Sequence, residues 1–341
     1  MNAAEASPLA PIFVVGAPRS GTTLTATILG RHPLVFSIGE THFYEDVWSR
    51  RGELGELSEI EGLRRGAERL LTIFGRFNFP AAQQMVASSL TAADIVARAT
   101  ALGGGYAGLY AAFMGLLAEA AGKPRWCDDT PKHLFYLPAI LAHFPAAKVI
   151  VCVRDPRDFL CSYKNYWRRS TESDRIKALY HPILTGLVWR SSANAMLAYQ
   201  AQFGPERLLC LQYERLVAAP HAEIQCVCDF LGLAWTPAML DVTAHNSSFA
   251  DSGAGIFTGS VGRWRTGLDP AEAWWAQRVA GRGLAAFGYQ PEPIRPAVGA
   301  WLRIFSAAPF ALARALWANR YKRGPLGVYL ARRLAAIFGR N

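Results

Sequence analysis

The run Gly16-Ala17-Pro18-Arg19-Ser20-Gly21-Thr22-Thr23 has the glycine spacing of a phosphate-binding loop, yet Thr22 stands where nucleoside-triphosphate loops carry lysine. Backbone N–H groups of a glycine turn that opens into a helix attract anionic oxygens without lysine, because the donors and the dipole belong to the main chain. The missing ammonium removes the group that reaches the β and γ phosphates and disfavours a triphosphate with its magnesium. What remains is the guanidinium fork of Arg19 and the hydroxyls of Ser20, Thr22 and Thr23, a set suited to a smaller, metal-free anion. The plain alternative is a Gly-Ser turn capping the first helix.

Such a loop needs a strand before it and a helix after it. The apolar run IFVV at residues 12–15 and the segment Thr22 to Arg31 supply both. A second apolar strand candidate, Ala147 to Val153, leads into Arg154-Asp155-Pro156-Arg157-Asp158 and a helix through Arg168. A third, Arg207 to Tyr213, follows a long helix from about Leu184 to Phe203. Between Glu53 and Ala121 the composition predicts helices with no strand, broken at GRFNFP and LGGGY. Residues 244–265 read as a functional loop, and a helix from about Pro270 to Phe287 closes the main domain near Tyr289. Strands separated by helices predict a parallel α/β sheet with its binding groups at the strands' C-terminal ends. The expected architecture is a P-loop-like sheet flanked by helices over residues 1–290, with a helical insertion at about 53–121. A basic helical extension follows over 291–341.

Pro18-Arg19-Ser20-Gly21-Thr22-Thr23 resembles the 5′-phosphosulfate loop of sulfotransferases that use 3′-phosphoadenosine 5′-phosphosulfate (PAPS), in the form of the bacterial and tyrosylprotein branches. The resemblance runs from about Ile12 to Tyr289. It implies PAPS as co-substrate and no metal, with Arg154 and Ser162, eight residues on, clamping the 3′-phosphate; the plain alternative for Arg154 is a salt bridge to Asp155 or Asp158. It implies that Tyr213, in YERL ahead of FLGL, lies near the adenine. Ser260, Arg263 and Trp264, in SVGRW, match the late loop that closes over the nucleotide, where Trp264 could equally anchor the loop. Glu40, in SIGETHF, matches the catalytic glutamate that deprotonates the acceptor, with His42 as the second candidate base. The chain departs from the family at Asp129, where a lysine usually precedes Thr-Pro. Lys132 or His133 is expected to reach in from beyond Pro131, oriented by Asp129, unless Arg19 serves alone.

The implied activity is PAPS-dependent sulfation of a hydroxyl on a carbohydrate, glycolipid or other small or lipid-linked acceptor. The alternatives are sulfation of a tyrosine-bearing peptide and a non-catalytic, nucleotide-binding membrane adaptor. A nucleotide kinase is disfavoured by Thr22. The six cysteines read as buried free thiols, and the seven histidines show no zinc spacing. The first residues carry no basic, apolar leader, so the reading is a cytoplasmic chain. Formal charge is +10, but from Glu292 onward nine Lys or Arg face one acid, so the rest is nearly neutral and nucleic acid is not an expected partner. That extension mixes arginines with Trp301, Phe305, Phe310 and Trp317. It is expected to form a pair of amphipathic helices broken at Pro309, either lying on an anionic membrane surface or packed back on the domain.

Overall fold

In the computed structural model, Ile12–Gly16 forms strand β1, buried throughout, and Thr22–Gly30 the helix that follows it. The structure describes residues 10–55, 57, 59–74, 90–166, 177, 179–242 and 255–318, with single positions 327, 330, 331, 334 and 337. Several sequence expectations lie outside the described residues: the reading of the first nine residues, the GRFNFP break, the helix end at Arg168, residues 243–254 of the late loop, and most of the basic residues of the C-terminal extension.

Four more strands join β1: β2 (Val35–Ser37), β3 (Arg125–Asp128), β4 (Lys148–Val153) and β5 (Leu208–Gln212). Their order is β2-β3-β1-β4-β5, and every pairing is parallel. β1 and β4 run in register from Ile12 beside Lys148 to Gly16 beside Cys152. That contact leaves no room for a side chain, since a Cβ on Gly16 would lie 2.3 Å from the Cys152 carbonyl oxygen.

Because side chains alternate along a strand, β1 feeds two cores. Phe13 and Val15 pack with Val149, Val151 and Val153 under helices Gly105–Ala120 and Pro182–Phe203. Ile12 and Val14 pack with Ile150 and Cys152 under Thr22–Gly30 and helix Pro220–Leu231. Helices on both faces explain why the strands read as continuous apolar runs.

β3 was not anticipated from the sequence. It is four residues long, and Arg125 and Asp128 at its ends hide its β character, although both are buried. The elements described between β2 and β3 are all helices, including Ile60–Phe74, Ala92–Ala101 and Gly105–Ala120. The helix expected to run to Phe287 breaks at Gly281, whose φ of 58° ends Pro270–Ala280 before Arg282–Ala286 resumes. Pro309 does not break the extension: Val298–Ala318 is one helix with Pro309 on its exposed side, where the missing N–H costs one hydrogen bond without ending the helix. Of the six free cysteines, Cys226 is exposed and Cys210 half-buried, against the expectation of six buried thiols.

Candidate functional site

The strand order fixes where the chemistry collects. β1 and β4 are neighbours whose onward connections leave to opposite sides of the sheet, so the crevice beyond their C-terminal ends is a switch point. The loop after β1 fills it. Ser20 N–H closes a turn onto the Ala17 carbonyl at 3.2 Å, and Arg19 takes a left-handed φ of 70°, a conformation costly for any residue with a Cβ. The strain is held in place: Arg19 Nε donates to Ser162 Oγ at 3.4 Å, and the guanidinium lies 4.9 Å over the Tyr166 ring. Gly21 also has positive φ, 96°, and a Cβ there would meet Tyr213 at 2.7 Å. Thr22 and Ser20 are buried, while Pro18 and Thr23 are half-buried.

Arg154, at the end of β4, crosses behind this loop. Its Nη1 donates to the Arg19 carbonyl at 3.2 Å and its Nη2 to the Ser260 carbonyl at 2.8 Å, while the guanidinium stacks 4.4 Å over Tyr213. Tyr213 hydroxyl and Ser260 Oγ are 2.6 Å apart. The structure therefore brings Arg19, Ser162, Arg154, Tyr213 and Ser260 together from five segments. It differs from the expected open clamp in one respect, because a buried guanidinium must satisfy its donors and two of them are engaged by main-chain carbonyls. Ser20 Oγ and Arg154 Nε are buried polar atoms without a protein hydrogen bond, one on the loop and one behind it.

The late loop is anchored by a residue that sequence reasoning passed over. Asp158 accepts from the N–H groups of Gly262 at 2.6 Å and Trp264 at 2.9 Å. Trp264 is buried between the guanidinium groups of Arg157 and Arg265, each 4.5 Å from its ring, so it pins the loop to the helix Pro156–Lys164 and is not offered to a base. Arg263 lies 5.7 Å over Phe257. The D-P-R-D string after Arg154 was the available signal for this anchor.

On the other side of the loop, the ends of β2 and β3 carry the acidic groups. Glu40 Oε2 is 3.2 Å from His42 Nε2, His42 Nδ1 is 2.8 Å from Glu45 Oε2, and Lys132 Nζ is 2.9 Å from Glu45 Oε1. Burial opposes a charge on His42, but Glu40 and Glu45 outweigh it and push the imidazole up to about 10. That shift favours the protonated imidazole at neutral pH and weighs against His42 as the alternative base. Burial likewise opposes the charge on Glu45, and His42 and Lys132 bring that carboxyl down to about 2.

His133 is not at the site. It is fully buried, with Nδ1 2.9 Å from Asp128 Oδ1 and Nε2 accepting from the Tyr44 N–H at 3.2 Å. The turn Pro131–Tyr136 directs it into the core. Asp128 is the hub there, accepting from Thr41 Oγ1 at 2.6 Å, Tyr110 hydroxyl at 2.8 Å and Thr130 N–H at 2.9 Å. Thr41 N–H in turn donates to Thr130 Oγ1 at 2.9 Å, so the end of β3 holds the loop that presents Glu40. Asp129 does not orient Lys132 or His133, which are taken by Glu45 and Asp128. It is buried with Oδ1 unpartnered, and burial, together with Glu40 and Asp128, raises its carboxyl well above the usual range. Among the described residues no cluster of three His, Cys, Asp or Glu is grouped as metal ligands.

Comparison with known proteins gives this arrangement a context. An uncharacterized protein of Aquifex aeolicus is 27% identical over 260 residues, 75% of this chain, and the chain spans only 30% of its length. The nodulation protein NoeE of Sinorhizobium fredii is 27% identical over 312 residues, covering 84% of this chain and 68% of NoeE. A putative protein-tyrosine sulfotransferase of Caenorhabditis briggsae is 27% identical over 238 residues, 67% of this chain and 68% of its own. Among solved structures, the sulfotransferase domain of the Synechococcus PCC 7002 olefin synthase superposes with a TM-score of 0.52 at 25% identity, over 83% of this chain and 95% of that domain. The sequence profile described as "Sulfotransferase family" matches residues 11–237, from the start of β1 to beyond β5, and with it the whole sheet and its loops: the chain belongs to the sulfotransferase family.

Proposed function

We propose that the protein transfers a sulfuryl group from PAPS to the hydroxyl of a carbohydrate, glycolipid or other small or lipid-linked acceptor. The observation that carries this reading is the order of groups along the sheet edge: a carboxylate at the end of β2, a lysine-less anion loop after β1, and a buried arginine with Tyr213 after β4 and β5. Ser20 Oγ, the Gly21 cradle and Arg154 Nε fit a ligand bearing phosphate at both ends of a nucleoside. Bound PAPS supplies a sulfuryl group whose leaving group is a phosphate.

The protein's own residues do the rest. Glu40 takes the proton from the acceptor hydroxyl as its oxygen bonds to sulfur. The loop N–H groups and Arg19 hold the electron pair left on the 5′-phosphate when the bridging S–O bond breaks. His42, fixed between Glu40 and Glu45, positions the base rather than acting as one. Asp129, whose carboxyl is raised well above the usual range by burial and by the neighbouring Glu40 and Asp128, is biased toward its neutral form beside Glu40. Arg19 is left as the loop's own cation.

The relative described as a putative protein-tyrosine sulfotransferase supports a second reading, in which the acceptor is a tyrosine hydroxyl. Sulfur-labelled PAPS offered with polar-lipid and oligosaccharide extracts and, separately, with tyrosine peptides separates the two. Label transfer to a carbohydrate or lipid band is expected; transfer to peptide alone selects the second reading. Binding of the nucleotide with no transfer to any acceptor leaves the adaptor.

A further inference from the structure

The helix Val298–Ala318 lies against helices Pro182–Phe203 and Pro270–Ala280. Its inner side is fastened: Trp301 stacks on Trp275 with centroids 5.3 Å apart, and the Ile304 carbonyl is 3.0 Å from His181 Nε2. Ala311 is buried there, and Ala308 and Ala315 half-buried. At about 100° per residue the side away from Ile304 and Ala311 carries Val298, Leu302, Phe310 and Trp317, while Phe305 flanks Trp301 and stacks on Trp275 with centroids 5.9 Å apart. These four are exposed, Val298 by 72%, Phe310 by 78% and Trp317 by 67%. Arg303 and Arg314, also exposed, fall together along one edge of this apolar face.

We infer that this outer face docks the protein on an anionic lipid surface. Scattered apolar side chains need no explanation, but a helix whose inner side includes Ala308, Ala311 and Ala315 and whose outer side exposes Val298, Leu302 and Phe310 has large apolar residues turned away from the core. No helix among the described residues is long and apolar enough to cross a membrane, so the fit is to the interface, where aromatic and aliphatic groups enter the acyl boundary and arginines meet headgroups.

Charge selects lipid over a second copy of the chain. Arg303 and Arg314 lie at the edge of this face and the sequence after Glu292 holds no acid, so two such faces brought together repel, whereas an anionic bilayer attracts each. The basic stretch is tied at both ends to the same scaffold: Val298–Ala318 packs on helix Pro182–Phe203, and Asn194 of that helix donates to the Ile337 carbonyl at 2.8 Å.

The test is co-sedimentation of the full chain with phosphatidylcholine vesicles, with and without phosphatidylglycerol. Pelleting only with the anionic vesicles, falling as salt rises, is expected. The pair Arg303→Ala and Arg314→Ala should weaken partitioning about thirtyfold, the equivalent of two cations each worth about 1 kcal/mol at such a surface. Leu302→Ser with Phe310→Ser should abolish it while thermal melting stays unchanged, since neither side chain is buried. Equal pelleting with neutral vesicles, or indifference to the arginines, overturns the anionic-surface proposal. A soluble dimer that ignores vesicles overturns it in favour of a second copy, and a vesicle-blind monomer in favour of coverage by residues 319–341.

Discussion

His42 sits between two carboxylates with no more than 3.2 Å to either, and this arrangement sets a pH dependence that other residues of the site do not share. Its folded value lies near 10 against an ordinary 6.5, so its contribution to stability is complete below about 6.5 and is lost as pH rises toward 10. Glu45 behaves oppositely. Its value is lowered from 4.5 to about 2, so its contribution is complete above about 4.5 and lost as pH falls toward 2. Thermal melting should therefore show this cluster at full strength between about 4.5 and 6.5, and His42→Gln should flatten the decline between 6.5 and 10. An unchanged decline in the variant means His42 is not the cation between these carboxylates. Glu40→Gln, in contrast, should leave binding of 3′-phosphoadenosine 5′-phosphate within about 0.5 kcal/mol and remove turnover, since Glu40 is on the acceptor side of the loop. Retained activity would move the base elsewhere. The placement of Arg19, Glu40 and Arg154 beyond the strand ends was legible in the sequence because each belongs to a spaced motif. The charge on His42 and the burial of His133 were not, because both depend on partners, Glu45 and Asp128, that only the fold brings near.

At the scale of elements, the anion loop depends on two close approaches. Gly16 must pass the Cys152 carbonyl, and Gly21 must pass the Tyr213 ring in a left-handed conformation. Gly21→Ala should then cost about 1–2 kcal/mol in backbone strain and displace Tyr213 from Arg154, weakening nucleotide binding at least tenfold with the fold preserved. Calorimetry beside a circular-dichroism melt checks this, and full affinity in the variant would show that the loop and Tyr213 do not form one cradle. β1, β4 and β5 were legible as apolar runs because helices cover both faces of the sheet. β3 was hidden by its charged ends, and Arg125 is tolerated there because its guanidinium donates to the carbonyls of Ala10 and Leu231. Arg125 thereby joins β3 to the lead into β1 and to helix Pro220–Leu231. The anchoring of the late loop by Asp158 was signalled only by the D-P-R-D string, since its partners at Gly262 and Trp264 lie 104 and 106 residues away.

Across the whole molecule, Arg154 is where distant parts of the chain meet. Its guanidinium holds the loop after β1 and the late loop at Ser260, its carbonyl accepts from Trp189 Nε1 at 2.8 Å, and its neighbour Asp155 is tied through N–H to Glu214 at 2.8 Å. A ligand filling the crevice would cross-link β1, β4, β5 and the late loop at once, so binding should register as global stabilisation. At a hundredfold excess over its dissociation constant, 3′-phosphoadenosine 5′-phosphate should add about 2.7 kcal/mol to stability, with or without a chelator, whereas ATP with magnesium should add far less. Arg154→Ala should lose about 1.5–3 kcal/mol of nucleotide binding, the scale of a charge-assisted hydrogen bond. It should also lower the melting temperature without ligand, because two carbonyls and a half-buried ring lose their common partner. That second effect separates this arginine from a surface phosphate contact. A variant that binds weakly but melts like the parent would place Arg154 on the ligand alone, and one that melts early but binds normally would make it a structural tie between the loops.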